Sequence, residues 1–183
     1  SESARKILKQ YGVPTPDVTI SSVGSAIFYG SDKTAGKGWA AHIAYKWQRD
    51  KIERLLHPFP FLTLQEKAAQ RRFKISYYMA PGKDRLAEIH NCLLSNKCRY
   101  TLISSHDEFL DILPFRASKG KAIRYLSYKW EIPLRNFLVC GDSGNDEEML
   151  RGEPRAAVVG NYSHELAALR GSRNVYFAKV GCA

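Results

Sequence analysis

The chain has 183 residues and a formal net charge of +10 at pH 7, and 44% of its residues are hydrophobic. This length accommodates one large hydrophobic core or two small ones. No run of about 18 apolar residues is present that could span a membrane. The chain opens on no signal segment, and its four cysteines lack the spacing of a disulfide scaffold. We therefore expect a cytoplasmic protein of ordinary globular composition with no membrane association.

The positive charge attracts anions in general, and nucleic acid is one such partner. The basic residues, however, are spread along the chain, and no recognition-helix, RNP or zinc-finger pattern occurs. The five histidines likewise show no zinc-ligand spacing with cysteine. We therefore expect neither a nucleic-acid interface nor a structural zinc site.

The N-terminal residues predict a helix followed by a β-hairpin. Residues 2–11 are typical of a helix, and a proline-rich turn at 14–17 precedes a strand over 18–21. Gly24 then opens a hairpin into an alternating, strand-like run over 25–29.

A small α+β domain is predicted for residues 33–115, because Gly36 and Gly38 mark a flexible connection at its start. Apolar residues recur at helical spacing over 40–56, and the segment 57–60, which contains two prolines, ends that helix. The further predicted elements of this domain are helices over 63–72 and 82–95 and strands over 73–79, 99–104 and 108–114.

From Lys119 onward, helices and strands alternate in the way typical of a doubly wound parallel sheet. The strand over 136–140 is a continuous apolar run, which predicts burial on both faces. Together with residues 1–32, the segment 116–183 is expected to form an α/β core into which the α+β domain is inserted. The other predicted elements are a helix beginning at Lys119, helices over 145–151 and 163–170, and strands over 156–159 and 174–177.

Two carboxylates, an amide and two glycines lie within six residues directly after the strand at 136–140. Asp142 and Asp146 supply the hard oxygen ligands that Mg²⁺ prefers, and the glycines let backbone N–H groups approach an anion. Functional groups in parallel sheets gather at the carboxyl ends of the strands. The segment therefore predicts a magnesium site for phosphoryl chemistry. Alternatively, Asp142 and Asn145 form a turn and cap the following helix.

Lys119 lies where the chain leaves a strand and begins a helix. A cation at this point can hold a phosphate beside the helix N-terminus, whose dipole also favours anions. Lys121 is a second cation nearby, but Gly120 between them favours Lys119 as the residue at the turn. The alternative is a solvated surface lysine, which is the common state of this residue type.

Polar groups in the middle domain are candidates for contacts with a sugar. Gln70 supplies an amide, and strand alternation places Lys74 and Ser76 on one face, opposite Ile75. His106 lies in a polar loop between two predicted strands. A solvated strand face and an exposed histidine explain the same residues, so both alternatives stay open.

The acidic segment 141–146, with Ser118-Lys119-Gly120 upstream, resembles the haloacid dehalogenase superfamily of aspartate-nucleophile phosphatases. Within it, the closer likeness is to sucrose-phosphate phosphatase and to the phosphatase-like C-terminal domain of sucrose-phosphate synthase. The resemblance covers nearly the whole chain, and the segments that carry it are 16–30, 39–47, 70–78, 109–126 and 160–178.

This resemblance implies a Rossmann-like core with an inserted α+β cap, and hydrolysis of sucrose 6-phosphate in sucrose biosynthesis with Mg²⁺ as cofactor. It implies that Asp142 and Asp146 bind the metal. It further implies that Lys119 and Asn145 bind the phosphate, with Lys119 and Asp142 as the catalytic residues. The residues that we expect to contact the substrate are Gly24, Gln70, Lys74, Ser76 and His106.

Two motifs of such phosphatases are absent from this sequence: the Asp-x-Asp pair that carries the nucleophile, and the Thr or Ser before Gly-Arg that grips the phosphoryl group. The resemblance therefore implies that N-terminal strands of the core are missing and that this chain alone is inactive. The alternative is a non-catalytic module that binds sugar phosphate and regulates a sucrose-phosphate synthase, with a glycosyltransferase domain upstream. Loss of a central strand predicts unpaired sheet edges.

Overall fold

The structure is a computed structural model that describes Lys6, residues 9–106 and residues 108–180. The predicted helix at 2–11 falls largely outside the described residues, and those present within it, up to Gln10, are helical. No helix in the described part of the chain is both long and apolar enough to cross a membrane.

The N-terminal hairpin is present as predicted. Strand β1 (Val18–Ser21) pairs antiparallel with β2 (Ala26–Tyr29). Gly24 lies in the connecting turn with φ of +92°. Glycine reaches this conformation without the steric cost that a Cβ atom imposes, so the turn explains the residue type.

One helix is predicted over 40–56, but the structure has two. Helix α1 (Lys37–Ala44) and helix α2 (Arg49–Leu56) are separated by a turn in which Lys46 has φ of +56°. Helix α1 packs into an apolar cluster with β2, whereas α2 packs into a second cluster under a different sheet. The two helices pack into different apolar clusters. The chain therefore turns between them, although apolar residues recur at helical spacing through both.

Four strands form an antiparallel sheet, which we call the cap sheet. They are β3 (Leu62–Leu64), β4 (Ile75–Met79), β5 (Tyr100–Ser105) and β6 (Phe109–Pro114), in the order β3-β4-β6-β5. Apolar side chains of α2 and of helix α3 (Arg85–Ser95) pack against one face of this sheet. The predicted strands from 73 onward and the helix between them are therefore confirmed.

The predicted helix over 63–72 is wrong. Its first residues belong to β3, which pairs with β4, and the rest forms turns. The backbone N–H of Gln65 donates to the carbonyl of Ser76 at 2.9 Å, and Arg71 forms a bridge with Lys74. These contacts with the following strand satisfy backbone groups that a helix would otherwise pair internally.

The C-terminal part contains a three-stranded parallel sheet, which we call the core sheet. Helix α4 (Lys119–Lys129) precedes β7 (Leu138–Gly141), and helix α5 (Glu147–Leu150) precedes β8 (Arg155–Val158) and then β9 (Val175–Phe177). The strand order β7-β8-β9 with parallel pairing confirms the predicted alternation. The helix predicted over 163–170 is a 3₁₀ helix, His164–Leu169.

One face of the core sheet is buried and the other is exposed. Val139, Ala156 and Val158 pack into an apolar cluster with residues of α4 and α5. On the opposite face, Leu138 is 71% and Tyr176 is 65% exposed. The prediction that the strand over 136–140 is covered on both faces is therefore wrong, because the described helices cover one face and β7 is an edge strand.

The predicted division into a core and an inserted domain stays a prediction. One apolar cluster joins Ile27 and Leu126 of the predicted core with Trp39 and Leu113 of the predicted insert. Apolar packing therefore runs across the predicted boundary, and it brings the N-terminal hairpin, α1 and α4 together near the start of α4.

Candidate active site

The loop after β7, which we call the acidic loop (142–146), holds the carboxylate of Asp146 in a defined position. Its Oδ1 lies 2.6 Å from Lys119 Nζ, and its Oδ2 accepts the backbone N–H of Asp142 at 3.1 Å. The Asp146 side chain is only 4% exposed. Because a buried charge is costly unless it is paired and hydrogen-bonded, these contacts account for a carboxylate at this depth.

Lys119 is the first residue of α4, and the preceding Ser118 caps this helix. The Ser118 Oγ accepts the backbone N–H of Lys121 at 3.0 Å, as is common for serine at a helix N-cap. Lys119 Nζ contacts Asn145 Oδ1 as well as Asp146, yet its side chain stays 31% exposed. The predicted phosphate-binding residues Lys119 and Asn145 are thus brought together, with an accessible cation beside a helix N-terminus.

Lys121 has a different environment from Lys119. Its Nζ donates to Thr101 Oγ1 and to the carbonyl of Phe115, both at 2.9 Å. Burial lowers the pKa of Lys121, and the charge of nearby Arg124 acts in the same direction against the opposing effect of Glu148. Lys121 therefore ties α4 to the cap sheet, and Lys119 is the lysine at the acidic loop, as predicted.

Gly24 lies directly against the start of α4. A Cβ atom at this position would come within 2.1 Å of the Ser118 carbonyl carbon, so only glycine permits this approach. The Gly24 carbonyl accepts the indole N–H of Trp39 at 3.1 Å. The predicted substrate residue Gly24 is therefore close to the backbone of Lys119, and its contact with a substrate stays a prediction.

Asp142 carries an exposed carboxylate beside the paired Lys119 and Asp146. Within the part of the chain that the structure describes, this carboxylate forms no hydrogen bond or ion pair. All three residues line a cavity of about 400 Å³, and Ile20 of β1 lines it as well. The cavity thus lies between the N-terminal hairpin and the end of β7, and it combines a cation with an available carboxylate.

The donor set is consistent with Mg²⁺ but provides few ligands. Asp142 offers unengaged carboxylate oxygens, which are hard ligands of the kind Mg²⁺ prefers. The Asp146 oxygens are engaged by Lys119 and by the backbone of Asp142. Among the described residues, no group of three or more His, Cys, Asp or Glu side chains is close enough to hold a metal ion. Asp142 therefore fits a metal ligand, and Asp146 fits a residue that orients the loop.

In the cap sheet, Lys74 and Ser76 meet a carboxylate that the sequence interpretation missed. Asp111 Oδ1 lies 2.9 Å from Lys74 Nζ and accepts the Ser76 hydroxyl at 2.6 Å. Ile75 packs in the apolar cluster on the other face, so the predicted alternation is confirmed. The available signal was a single carboxylate within the apolar strand Phe109–Pro114.

Two of the predicted substrate residues already have defined partners. The Gln70 amide donates to the Ser76 carbonyl at 2.8 Å and accepts the Ser76 backbone N–H at 3.0 Å, so it braces the turn before β4. The Ser76 side chain itself is fully buried. Contacts of Gln70 and Ser76 with a substrate stay predictions, whereas their role in supporting this turn is observed.

His106 is exposed at the turn between β5 and β6, and its backbone N–H donates to Glu165 Oε1 at 3.0 Å. Glu165 also accepts the backbone N–H of Gly144 at 3.1 Å. Burial acts to raise the pKa of Glu165, but hydrogen bonds from Ser163, Gly144 and His106 outweigh it and lower the pKa. Sequence reasoning missed Glu165, because its partners are distant in sequence.

Comparison with known proteins assigns the family. A family model described as sucrose-6F-phosphate phosphohydrolase matches residues 1–183. The chain belongs to this family. The resemblance to sucrose-phosphate phosphatases within the haloacid dehalogenase superfamily is therefore confirmed.

Individual relatives support the same assignment. Sucrose-phosphatase 1 of Nicotiana tabacum is 36% identical in an alignment of 172 positions, and the match covers 91% of this chain and 40% of that protein. The mannosylfructose-phosphate phosphatase of Agrobacterium fabrum is 29% identical in an alignment of 173 positions, and the match covers 93% of this chain and 70% of that protein. The chain thus spans less than half the length of the tobacco sucrose-phosphatases that it matches.

A solved structure of the family has the same fold. The X-ray structure of the sucrose-phosphatase from Synechocystis sp. PCC6803, in complex with sucrose and phosphate, matches with a TM-score of 0.90 and 30% identity. The match covers 98% of this chain and 75% of that chain. The predicted fold class, a dehalogenase-like α/β fold with a parallel sheet, is confirmed.

Proposed function

We propose that this chain provides the phosphate-binding and sugar-selecting parts of a phosphatase that hydrolyses sucrose 6-phosphate in sucrose biosynthesis. The observation that carries the proposal is the cavity beside β7, where the exposed Asp142 lies next to the paired Lys119 and Asp146 in a member of the sucrose-phosphatase family. Cation and carboxylates at the end of a parallel strand suit a phosphate held with a metal ion.

The residues of the site have separate tasks in this proposal. Lys119 Nζ orients the phosphate, assisted by the N-terminus of α4 and by Asn145. Asp142 offers oxygen ligands to Mg²⁺, and Asp146 holds Lys119 and the acidic loop in place. A bound Mg²⁺ supplies charge neutralisation at the phosphate.

Nucleophilic attack needs a further carboxylate placed in line with the leaving oxygen. In this proposal Asp142 is assigned to the metal, and Asp146 is engaged by Lys119. The sequence contains no Asp-x-Asp pair. We therefore infer that this chain alone binds sugar phosphate but turns it over only at a background rate.

We assign binding of the sugar part of the substrate to the cap sheet and to residues around it. Lys74 and Asp111 present a cation and a carboxylate on the face opposite the apolar cluster, and both remain partly exposed. Gly24, Gln70 and His106 complete the proposed substrate contacts. Relatives named for sucrose and for mannosylfructose phosphates indicate a phosphorylated disaccharide.

Calorimetry with sucrose 6-phosphate and Mg²⁺ tests the proposal. Lys119→Ala should lose most of the binding, because the only cation at the acidic loop among the described residues is removed. Lys129→Ala, at the opposite end of the same helix, is the matched control and should bind normally. Equal affinity in both variants would refute the assigned phosphate site.

Phosphate release tests the inference on catalysis. The 183-residue chain should show background turnover of sucrose 6-phosphate with Mg²⁺. Turnover of about 1 per second or more, in the usual enzyme range and lost in Asp142→Ala, would show that the nucleophile is misassigned.

A non-catalytic role is the second candidate. The absence of an Asp-x-Asp pair favours a module that binds sugar phosphate and regulates a sucrose-phosphate synthase with a glycosyltransferase domain upstream. The two candidates differ in whether the gene encodes an Asp-x-Asp strand before Ser1.

Free thiols at Cys92, Cys98 and Cys140 accord with a reducing compartment, and we propose the cytoplasm.

A further inference from the structure

Glu165 joins two loops that are distant in sequence. Its Oε1 accepts the backbone N–H of His106 at 3.0 Å, and its Oε2 accepts the backbone N–H of Gly144 at 3.1 Å. His106 lies in the turn between β5 and β6, which we call the hairpin tip (104–106), and Gly144 belongs to the acidic loop. A single carboxylate therefore links the cap sheet to the loop that carries Asp142 and Asp146.

The hairpin tip and the acidic loop are also in close steric contact. A Cβ atom at Gly144 would come within 2.9 Å of the Ser104 carbonyl oxygen and within 3.2 Å of the Glu165 carboxylate carbon. His106 has φ of +56°, a conformation that is uncommon for residues other than glycine. Strained backbone of this kind persists only where its surroundings hold it, and the hydrogen bond that the His106 N–H donates to Glu165 is one such restraint.

Glu165 is itself well anchored. The Ser163 hydroxyl donates to its carboxylate. Leu166 and Leu169 of the same 3₁₀ helix are fully buried in the apolar cluster under the core sheet. The pKa of Glu165 is lowered by its hydrogen bonds despite burial, which keeps the carboxylate charged at neutral pH. Hydrogen bonds to a charged acceptor are about twice as strong as neutral ones.

We propose that Glu165 is a positioning residue that fastens the hairpin tip to the acidic loop. The cap sheet, to which we assign the sugar, is thereby kept at a set position relative to Lys119. Only this consequence for the ligand rests on the proposed function; the fastening itself does not.

Amide hydrogen exchange measures the fastening directly. In Glu165→Ala, the amides of both His106 and Gly144 should exchange about tenfold faster or more, the factor that corresponds to 1.4 kcal/mol. Glu165→Gln has one carbonyl acceptor and one amide donor in place of two acceptors, so it should release one of the two amides. Glu153→Gln, at an exposed carboxylate, is the control and should leave both unchanged.

Unchanged exchange at His106 and Gly144 in Glu165→Ala would overturn the proposal. Glu165→Gln keeps the size of the side chain, so it decides the question if Glu165→Ala does not fold.

A second experiment compares the binding of sucrose 6-phosphate with that of inorganic phosphate by calorimetry. Glu165→Ala should weaken binding of the sugar phosphate about tenfold and change phosphate binding less. An equal change for both ligands would refute the link to the sugar.

Failure of the proposed function gives a different result. If the parent chain binds neither sucrose 6-phosphate nor inorganic phosphate, the proposed function is refuted. The exchange rates of His106 and Gly144 still decide whether Glu165 fastens the two loops, because that measurement needs no ligand.

Discussion

The two sheets differ in how completely the described chain covers them. In the cap sheet, Ile112 is fully buried, and the face it belongs to packs against α2 and α3. In the core sheet, one face packs against α4 and α5 while Leu138 and Tyr176 are exposed on the other. Each sheet thus has an apolar cluster on one face. The other face of the cap sheet carries the paired Lys74 and Asp111, both largely buried, whereas the other face of the core sheet exposes apolar side chains, and the candidate active site lies at the edge strand of the core sheet.

The largest expected effect is a difference in stability between the two sheets. Ile112→Ala should lower the free energy of unfolding by about 2–5 kcal/mol, because it leaves a cavity in a packed core. Leu138→Ala removes an exposed side chain and should stay within about 0.5 kcal/mol of the parent. Urea unfolding measures both variants, and a cost at Leu138 as large as that at Ile112 would mean that the exposed face is covered in solution.

The ion pair of the candidate active site should matter more for stability than the ion pair of the cap sheet. Lys119→Met leaves Asp146, a side chain only 4% exposed, with one backbone N–H as its remaining donor, and should cost about 3 kcal/mol. Lys74→Met should cost less, about 1–3 kcal/mol, because Asp111 is 16% exposed and still accepts the Ser76 hydroxyl. Thermal unfolding compares the two variants, and the reverse order would contradict this difference.

Magnesium should act on the core sheet alone. At ten times its dissociation constant, a ligand that binds only the folded state stabilises it by about 1.4 kcal/mol. Asp142→Ala should lose this stabilisation and the Mg²⁺-dependent NMR shifts of the acidic loop. Asp111→Asn, in the cap sheet, should keep both. Equal Mg²⁺ responses in Asp142→Ala and the parent would remove the metal assignment.

The last expected effect concerns Tyr77 in the cap sheet and is confined to alkaline pH. Burial, together with the charge of Glu53 and against that of Arg49, raises its pKa from 10.0 to about 12. The folded state therefore favours the neutral phenol. The stability linked to Tyr77 should be complete below its ordinary pKa and lost as the pH rises toward 12.

Phenolate absorbance of the parent minus that of Tyr77→Phe measures this ionisation. Unfolding of the same pair across the alkaline range should show the parent losing stability relative to the variant as the pH rises. A difference spectrum that titrates fully at the ordinary tyrosine pKa would show that Tyr77 is not desolvated in solution.

Local sequence patterns predicted the elements whose hydrogen bonds lie within the element or with a near neighbour. The helix at Lys119 follows from apolar residues at helical spacing, and the hairpin around Gly24 follows from glycine in a turn and alternation beside it. The acidic loop was recognisable because its carboxylates lie four residues apart at the end of an apolar strand. Lys119 was placed beside it through the family resemblance, and the structure brings the two together.

The sequence by itself determined the fold class and the family, and it singled out Lys119 and the acidic loop, because these depend on short motifs and on periodicity. Tertiary structure alone decided that 65–72 forms turns against β4, that one face of β7 is exposed, and that Asp111 pairs with Lys74. It also decided that Glu165 joins His106 to Gly144. The physical reason is common to all four: burial and pairing depend on chain segments that approach only after folding, and no local pattern records them.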